Sequence, residues 1–140
     1  MKGIFTFYLL PFYFYHFLLY SMNDFPKAEK LCNYHRIQAL FREGRSIKKY
    51  PLKLLYLPAD KSITPTQLLI SVPKKKLKRA VDRNRIKRLI RESYRMEKHQ
   101  LSSVDRSFSL AIIYMGQELT TYNQIRPLVA ALLKQLSLSE

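Results

Sequence analysis

The residues best equipped for chemistry lie between Lys74 and Arg95, in the run KKKLKRAVDRNRIKRLIRESYR. Eleven lysines and arginines stand there against Asp82 and Glu92, so +9 of the chain's +15 formal charge sits in one short segment. Guanidinium groups offer paired N–H donors that fit the oxygens of a phosphate, and ammonium groups add point charge. From Ala80 onward, Ile86, Leu89, Ile90 and Tyr94 recur at helical spacing. At about 100° per residue they share one side of a helix, while Asn84, Lys87, Arg88, Arg91 and Arg95 share the other. The like-charge pairs Lys87/Arg91 and Arg91/Arg95, each four apart, cost roughly a few tenths of a kcal/mol in an isolated helix. A polyanion removes that cost. The plainer reading is a solvated surface helix laced by Glu92, but such faces ordinarily mix both signs.

Other chemistries are thinly represented. His16, His35 and His99 are far apart and form no His-x-x-x-His or His-Glu pair, so no metal motif is visible. Gly3, Gly44 and Gly116 are the only glycines, too few and too scattered for a phosphate-cradling loop or a dinucleotide fingerprint. Asp60, Asp82 and Asp105 suggest no close carboxylate pair for two-metal phosphodiester cleavage. Cys32 is the single cysteine, which rules out an intrachain disulfide and fits a reducing cytoplasm. No catalytic residue and no protein-held metal is expected.

The cationic run must be carried by a folded body. A chain of 140 residues that is 47% hydrophobic suits one domain with a sizeable core, and a pI near 10.1 without a long basic tail puts the charge on that fold. Leu31, Tyr34, Ile37, Leu40 and Phe41, spaced by three and four, predict a helix from about Asn33 to Glu43, with Asn33 as N-cap and Gly44 at its C-terminus. Leu52 to Leu57 and Gln67 to Val72 read as two strands of a hairpin, joined by a long polar connection through Pro58, Asp60 and Pro65. The basic helix is expected from about Ala80 to Lys98. Phe108 to Tyr114, apolar nearly throughout, predicts a strand covered on both sides. Ile125, Leu128, Val129, Leu132, Leu133 and Leu136 predict a closing helix that starts near Asn123 or Gln124, because Pro127 belongs in a first turn. The order is helix, strand, strand, helix, strand, helix: an α/β sandwich with helices on a mixed sheet.

Residues 1–21, MKGIFTFYLLPFYFYHFLLYS, carry Lys2 as their only charge. A signal peptide, a short membrane anchor and an extension upstream of a true start at Met22 are the three readings. Pro11 and His16 interrupt the run and no small-x-small cleavage site follows. The third reading is preferred, with residues 22–140 as a single RNA-binding domain.

Ser71-Val72-Pro73-Lys74-Lys75, followed by Arg83-Asn84-Arg85-Ile86-Lys87-Arg88-Leu89-Ile90-Arg91-Glu92, resembles the signature of the protein subunit of bacterial ribonuclease P. The resemblance runs from about Phe25 to Leu136. It departs from the usual pattern at Leu69 and at Leu77 or Lys78, where glycines are common, and at Ile37, where an aromatic is common. The resemblance implies a ribosomal-protein-S5-domain-2-like fold with a left-handed βαβ crossover, although pattern alone favours the right-handed connection. It implies a cytoplasmic ribonucleoprotein endonuclease that removes 5′ leaders from precursor tRNA, with catalysis by Mg²⁺ bound mainly to the RNA subunit. The implied partners are ribonuclease P RNA and precursor tRNA, with no small-molecule substrate and no stable membrane association. Lys87, Arg88, Arg91 and Arg95 would hold the RNA backbone, Arg83 and Asn84 would lie near the junction of RNA subunit and substrate, and Lys74, Lys75, Lys76, Lys78 and Arg79 would form a phosphate-contacting loop. The leader would lie near Phe41, Ile37 and Tyr56. Tyr56 is either a stacking platform or a strand residue packed in the sheet. Three other classes remain on the residues alone: a structural RNA-binding protein, a DNA-binding regulator and a membrane-anchored basic protein.

Overall fold

The computed structural model describes residues 25–59 and 65–140. The apolar stretch before Met22, and Asp60 in the polar connection, lie outside the described residues. Among the described residues, three helices and four strands follow one another as α1 (Tyr34–Glu43), β1 (Arg45–Lys49), β2 (Leu52–Ala59), β3 (Gln67–Ser71), α2 (Ala80–Glu97), β4 (Ser107–Tyr114) and α3 (Tyr122–Ser139), with short 3₁₀ turns at Lys27–Glu29 and Lys98–Leu101. The sheet runs β1-β2-β4-β3 and is mixed.

Two expectations need correction. A strand, β1, was not foreseen: RSIKK has one apolar residue, Ile47, among four polar ones, so its alternation is too sparse to read. It makes the tight hairpin with β2 through Tyr50 and a cis Pro51. Second, β2 and β3 are not a hairpin. β4 lies between them, antiparallel to β2 and parallel to β3. The apolar run of β4 is what allows this, since only a strand buried on both faces gains from the central place; seven of its eight residues are buried.

Register sorts the side chains onto two faces. Leu52, Leu54, Tyr56, Leu110, Ile112 and Leu68 point to the face covered by α2 and α3, where they join Ile86, Ile90, Tyr94, Ile125, Val129 and Leu132 in the main core. Leu55, Leu57, Ala111, Leu69 and Ile113 point to the other face and meet Leu31, Ile37 and Leu40 beneath α1. The first face is closed by two helices and the second by one.

Local chemistry fixes the helix ends. Asn33 Oδ1 accepts from the Arg36 backbone N–H at 3.2 Å, the expected N-cap of α1. Gly44 ends that helix with φ −67° and ψ 147°, so the αL cap that glycine suggested is absent. Its lack of a side chain matters instead because a Cβ there would strike the Leu40 carbonyl. α3 begins at Tyr122, earlier than Pro127 suggested, because Gln124 Oε1 accepts from the Thr121 N–H and starts the helix there. Pro127 therefore sits in the second turn, and the carbonyl it cannot serve belongs to Asn123, an exposed residue that water can satisfy.

Candidate RNA interface

α2 buries Ile86, Ile90, Ser93 and Tyr94 and turns its opposite side to solvent. Asn84, Arg85, Arg88 and Arg91 are exposed on that outward side, and Lys87 is half-buried at its flank. Arg85 escaped the sequence list, although the helical phase that selected Arg88 places it only about 60° away. The result is a solvated stripe with cations on successive turns.

Two predicted contacts have structural duties. Arg83 Nη1 donates to the carbonyls of Leu77 and Lys78 at 2.9 and 2.7 Å, so this guanidinium braces the loop before the helix. Arg95 Nε donates to Glu92 Oε2 at 3.0 Å, and its side chain is only 11% exposed. That hydrogen bond, with the charge of Arg95, outweighs burial and holds the Glu92 carboxyl below its ordinary range.

The loop that displays Lys74, Lys75, Lys76, Lys78 and Arg79 is anchored from beneath. Leu77 is 7% exposed within the main core, while all five cations around it are exposed. The N–H groups of Lys76 and Leu77 both donate to the Pro73 carbonyl, at 3.1 and 3.3 Å. No described residue has positive φ, so the missing glycines at Leu69 and at Leu77 or Lys78 impose no backbone strain.

The C-terminal end of α2 is tied down by ion pairs. Lys98 Nζ lies 3.0 Å from Glu29, and Arg126 Nε lies 2.9 Å from Glu97. Burial works to raise the Glu97 carboxyl, but hydrogen bonds from Arg126 and Gln100 and the arginine's charge prevail and hold it low. Tyr94, buried beside Phe25 in an edge-on contact, has its phenol pushed above the usual range by burial and by the charge of Glu29. Glu92, Glu97 and Glu29 thus gather toward the end of the helix away from the cationic loop, while Asp82 in the first turn lies 4.0 Å from Arg79.

The second predicted surface lies on the opposite face of the sheet. Phe41 is 51% exposed near the end of α1, and Ile37, one turn earlier, is half-buried against the smaller core. Tyr56 does not join them. It is 6% exposed, points to the α2/α3 face and meets Phe108 edge-on at 6.3 Å between centroids. A strand alternates sides with every residue, so the position on the α1 face is its neighbour Leu55. A base cannot stack on the Tyr56 ring.

Among the described residues no group of three or more His, Cys, Asp or Glu side chains is placed to hold a metal ion. No described helix is long and apolar enough to cross a membrane.

Comparison with known proteins agrees with this geometry. The profile of the family described as Ribonuclease P matches residues 25–137. The ribonuclease P protein component of Porphyromonas gingivalis is 40% identical over 92 residues, covering 64% of this chain and 67% of that one. Its counterpart in Chlorobium phaeobacteroides is 36% identical over 134 residues, covering 85% and 92%. The structure of the Staphylococcus aureus RNase P protein superposes with a TM-score of 0.64 at 28% identity, covering 79% of this chain and 96% of that one. The chain belongs to the ribonuclease P protein family, the protein subunits that join ribonuclease P RNA, bind precursor tRNA and serve the endonucleolytic maturation of tRNA 5′ ends.

Proposed function

We propose that the two surfaces divide the work of the holoenzyme. The outward stripe of α2, with Lys87, Arg88 and Arg91 and now Arg85, holds the phosphates of the RNA subunit. Asn84 and the loop cations Lys74, Lys75, Lys76, Lys78 and Arg79 lie where that RNA meets the substrate. Arg83 acts there mainly by holding the loop in shape, and Arg95 contributes mainly through its pair with Glu92. Phe41 and Ile37 take the unpaired 5′ leader on the other face, without Tyr56. Such contacts favour precursor over mature tRNA and read little base sequence.

The observation that carries this reading is the separation of charge. Arg85, Arg88 and Arg91 are exposed together on one side of α2, while the acids Glu92 and Glu97 are each engaged by an arginine. The resemblance assigns hydrolysis to Mg²⁺ bound mainly by the RNA subunit; on the protein, Asp82, Glu92 and Glu97 each face an arginine. The resemblance further supports a cytoplasmic setting, and a left-handed β3-α2-β4 crossover of the ribosomal-protein-S5-domain-2-like kind.

The test is Arg88→Ala/Arg91→Ala in binding to ribonuclease P RNA across a salt series. Each lost phosphate contact removes ~0.9 of the slope of log affinity on log salt, so the double variant should lower the slope by close to two. An unchanged slope contradicts the assignment. Wild-type protein should stimulate cleavage of precursor tRNA by that RNA at low Mg²⁺, and should cut nothing alone.

A further inference from the structure

The face beneath α1 carries a pair of cations that the reading above leaves unused. Lys48 on β1 and Lys53 on β2 are direct cross-strand partners, with side chains on the same face. Like charges so placed destabilise a sheet. Lysines often protect an edge strand from unwanted pairing, and that accounts for Lys48. Lys53 lies on β2, which has neighbours on both sides, so edge protection does not account for it. No carboxylate among the described residues pairs with Lys48 or Lys53, whereas Arg45, at the other end of β1 and on the opposite face, has Glu140.

Their place in the register gives the pair a context. Lys53 is opposite Ile113, and Ile113 is opposite Ser71, so one rung reads Ser71, Ile113, Lys53, Lys48 across the whole sheet. The first three are half-buried and Lys48 is exposed, so the rung is not sealed by α1. At its Ser71 end the chain passes directly into the cationic loop at Lys74. α1 lies alongside. Arg36 Nη1 donates to Gln67 Oε1 at 2.7 Å, which points that flank of the helix toward the other end of β3. The helical phase then turns the flank bearing Tyr34, Ile37 and Phe41 toward the rung, and Ile37 and Ile113 pack on the same small core. Tyr34 and Phe41 are 66% and 51% exposed, and the Tyr34 hydroxyl accepts from Gln38 Nε2 at 2.6 Å. The exposed rings of Tyr34 and Phe41 on α1 and the lysines at the end of the rung thus belong to one face of the sheet.

We infer that Lys48 and Lys53 bind the backbone phosphates of the far part of the 5′ leader, several nucleotides upstream of the cleavage site. The proposal rests on the leader cleft assigned above and extends it across β2 to β1. Three strand spacings of ~4.8 Å separate Ser71 from Lys48, about 14 Å in all. At a rise of ~3.4 Å per nucleotide that distance takes about four nucleotides, and fewer if the strand is stretched. The lysines therefore sense leader length, not leader sequence.

The experiment measures affinity of the reconstituted holoenzyme for precursor tRNAs with leaders of one to eight nucleotides and for mature tRNA. It compares the wild-type chain, Lys48→Thr/Lys53→Thr and Lys48→Arg/Lys53→Arg. Threonine suits a strand and relieves the like-charge contact, so the fold is retained. The expected result is a wild-type gain with leader length that stops short in the threonine variant. Long-leader substrates should lose roughly five- to tenfold in affinity and about 1.4 in salt slope, at ~0.7 per single-strand phosphate. The arginine variant should keep the gain. Equal loss for every substrate including mature tRNA, no loss for any, weakened assembly with the RNA subunit, or failure of the arginine variant overturns the lysine assignment. A wild-type holoenzyme with no gain from any leader overturns the leader cleft itself as well.

Discussion

The two faces of the sheet share four strands and differ in almost everything else. The α2/α3 face is closed by Ile86, Ile90, Ile125, Val129, Leu132 and Leu133, all fully buried. The α1 face is covered by one ten-residue helix over a small cluster, and its edge passes from Ile113 to Lys53 and Lys48. Alternation along each strand lets neighbouring residues serve opposite ends. Leu54 and Tyr56 support the fold, while Leu55 and Lys53 lie on the side proposed for the leader. In this chain the main core and the surface proposed for the leader are separated by the thickness of one sheet, while the stripe proposed for the RNA subunit lies on the outer side of α2, above that core.

The sharpest way to break that division is Tyr56→Ala. Loss of a buried aromatic that meets Phe108 edge-on should cost about 3–5 kcal/mol in urea unfolding. The folded fraction should keep its preference for precursor tRNA; a selective loss of that preference would return Tyr56 to the leader surface. Phe41→Ala should do the reverse. With half of its ring in water, its removal should shift unfolding by less than about 1 kcal/mol, yet lower the precursor preference by ~1–3 kcal/mol of stacking. Equal weakening of precursor and mature tRNA would argue against a leader contact.

The smallest effect concerns the tie between α2 and α3. Glu97 titrates below its ordinary range in the folded chain, so its contribution is complete above the normal carboxylate pKa and is lost as pH falls through the lowered value. Glu97→Gln should therefore reduce stability at neutral pH by up to about 1 kcal/mol. The gap from wild type should close on acidification below pH ~4. A pH-independent gap would mean that the glutamate acts through packing and not through charge.

How much of this was legible in the sequence depended on how one-sided each segment is. α2 declared itself because Ile86, Ile90 and Tyr94 repeat at helical spacing against a strong excess of positive charge. β4 did so because its burial on both faces leaves a continuous apolar run. β1 was hidden, since one inward residue among polar ones carries almost no periodic signal. The pairing of β2 with β3 was misread because sequence neighbours usually pair, and nothing local shows that a later, more apolar strand will displace one of them. The error at Tyr56 is of another kind. Strand parity is exact, so a slip of one position moves a side chain through the sheet. The bracing role of Arg83 was likewise invisible, because its acceptors are the backbone carbonyls of Leu77 and Lys78.

The central place of β4 bears on how the polypeptide acquires its shape during synthesis. On the ribosome, the β1–β2 hairpin and β3 emerge early but share no border, and neither can be joined to the other until the chain has been made through Tyr114. The arginine-rich segment is thus complete before the scaffold that will orient it exists. A nascent chain halted between Glu97 and Ser107 carries nearly all of the polycation and none of the finished sheet.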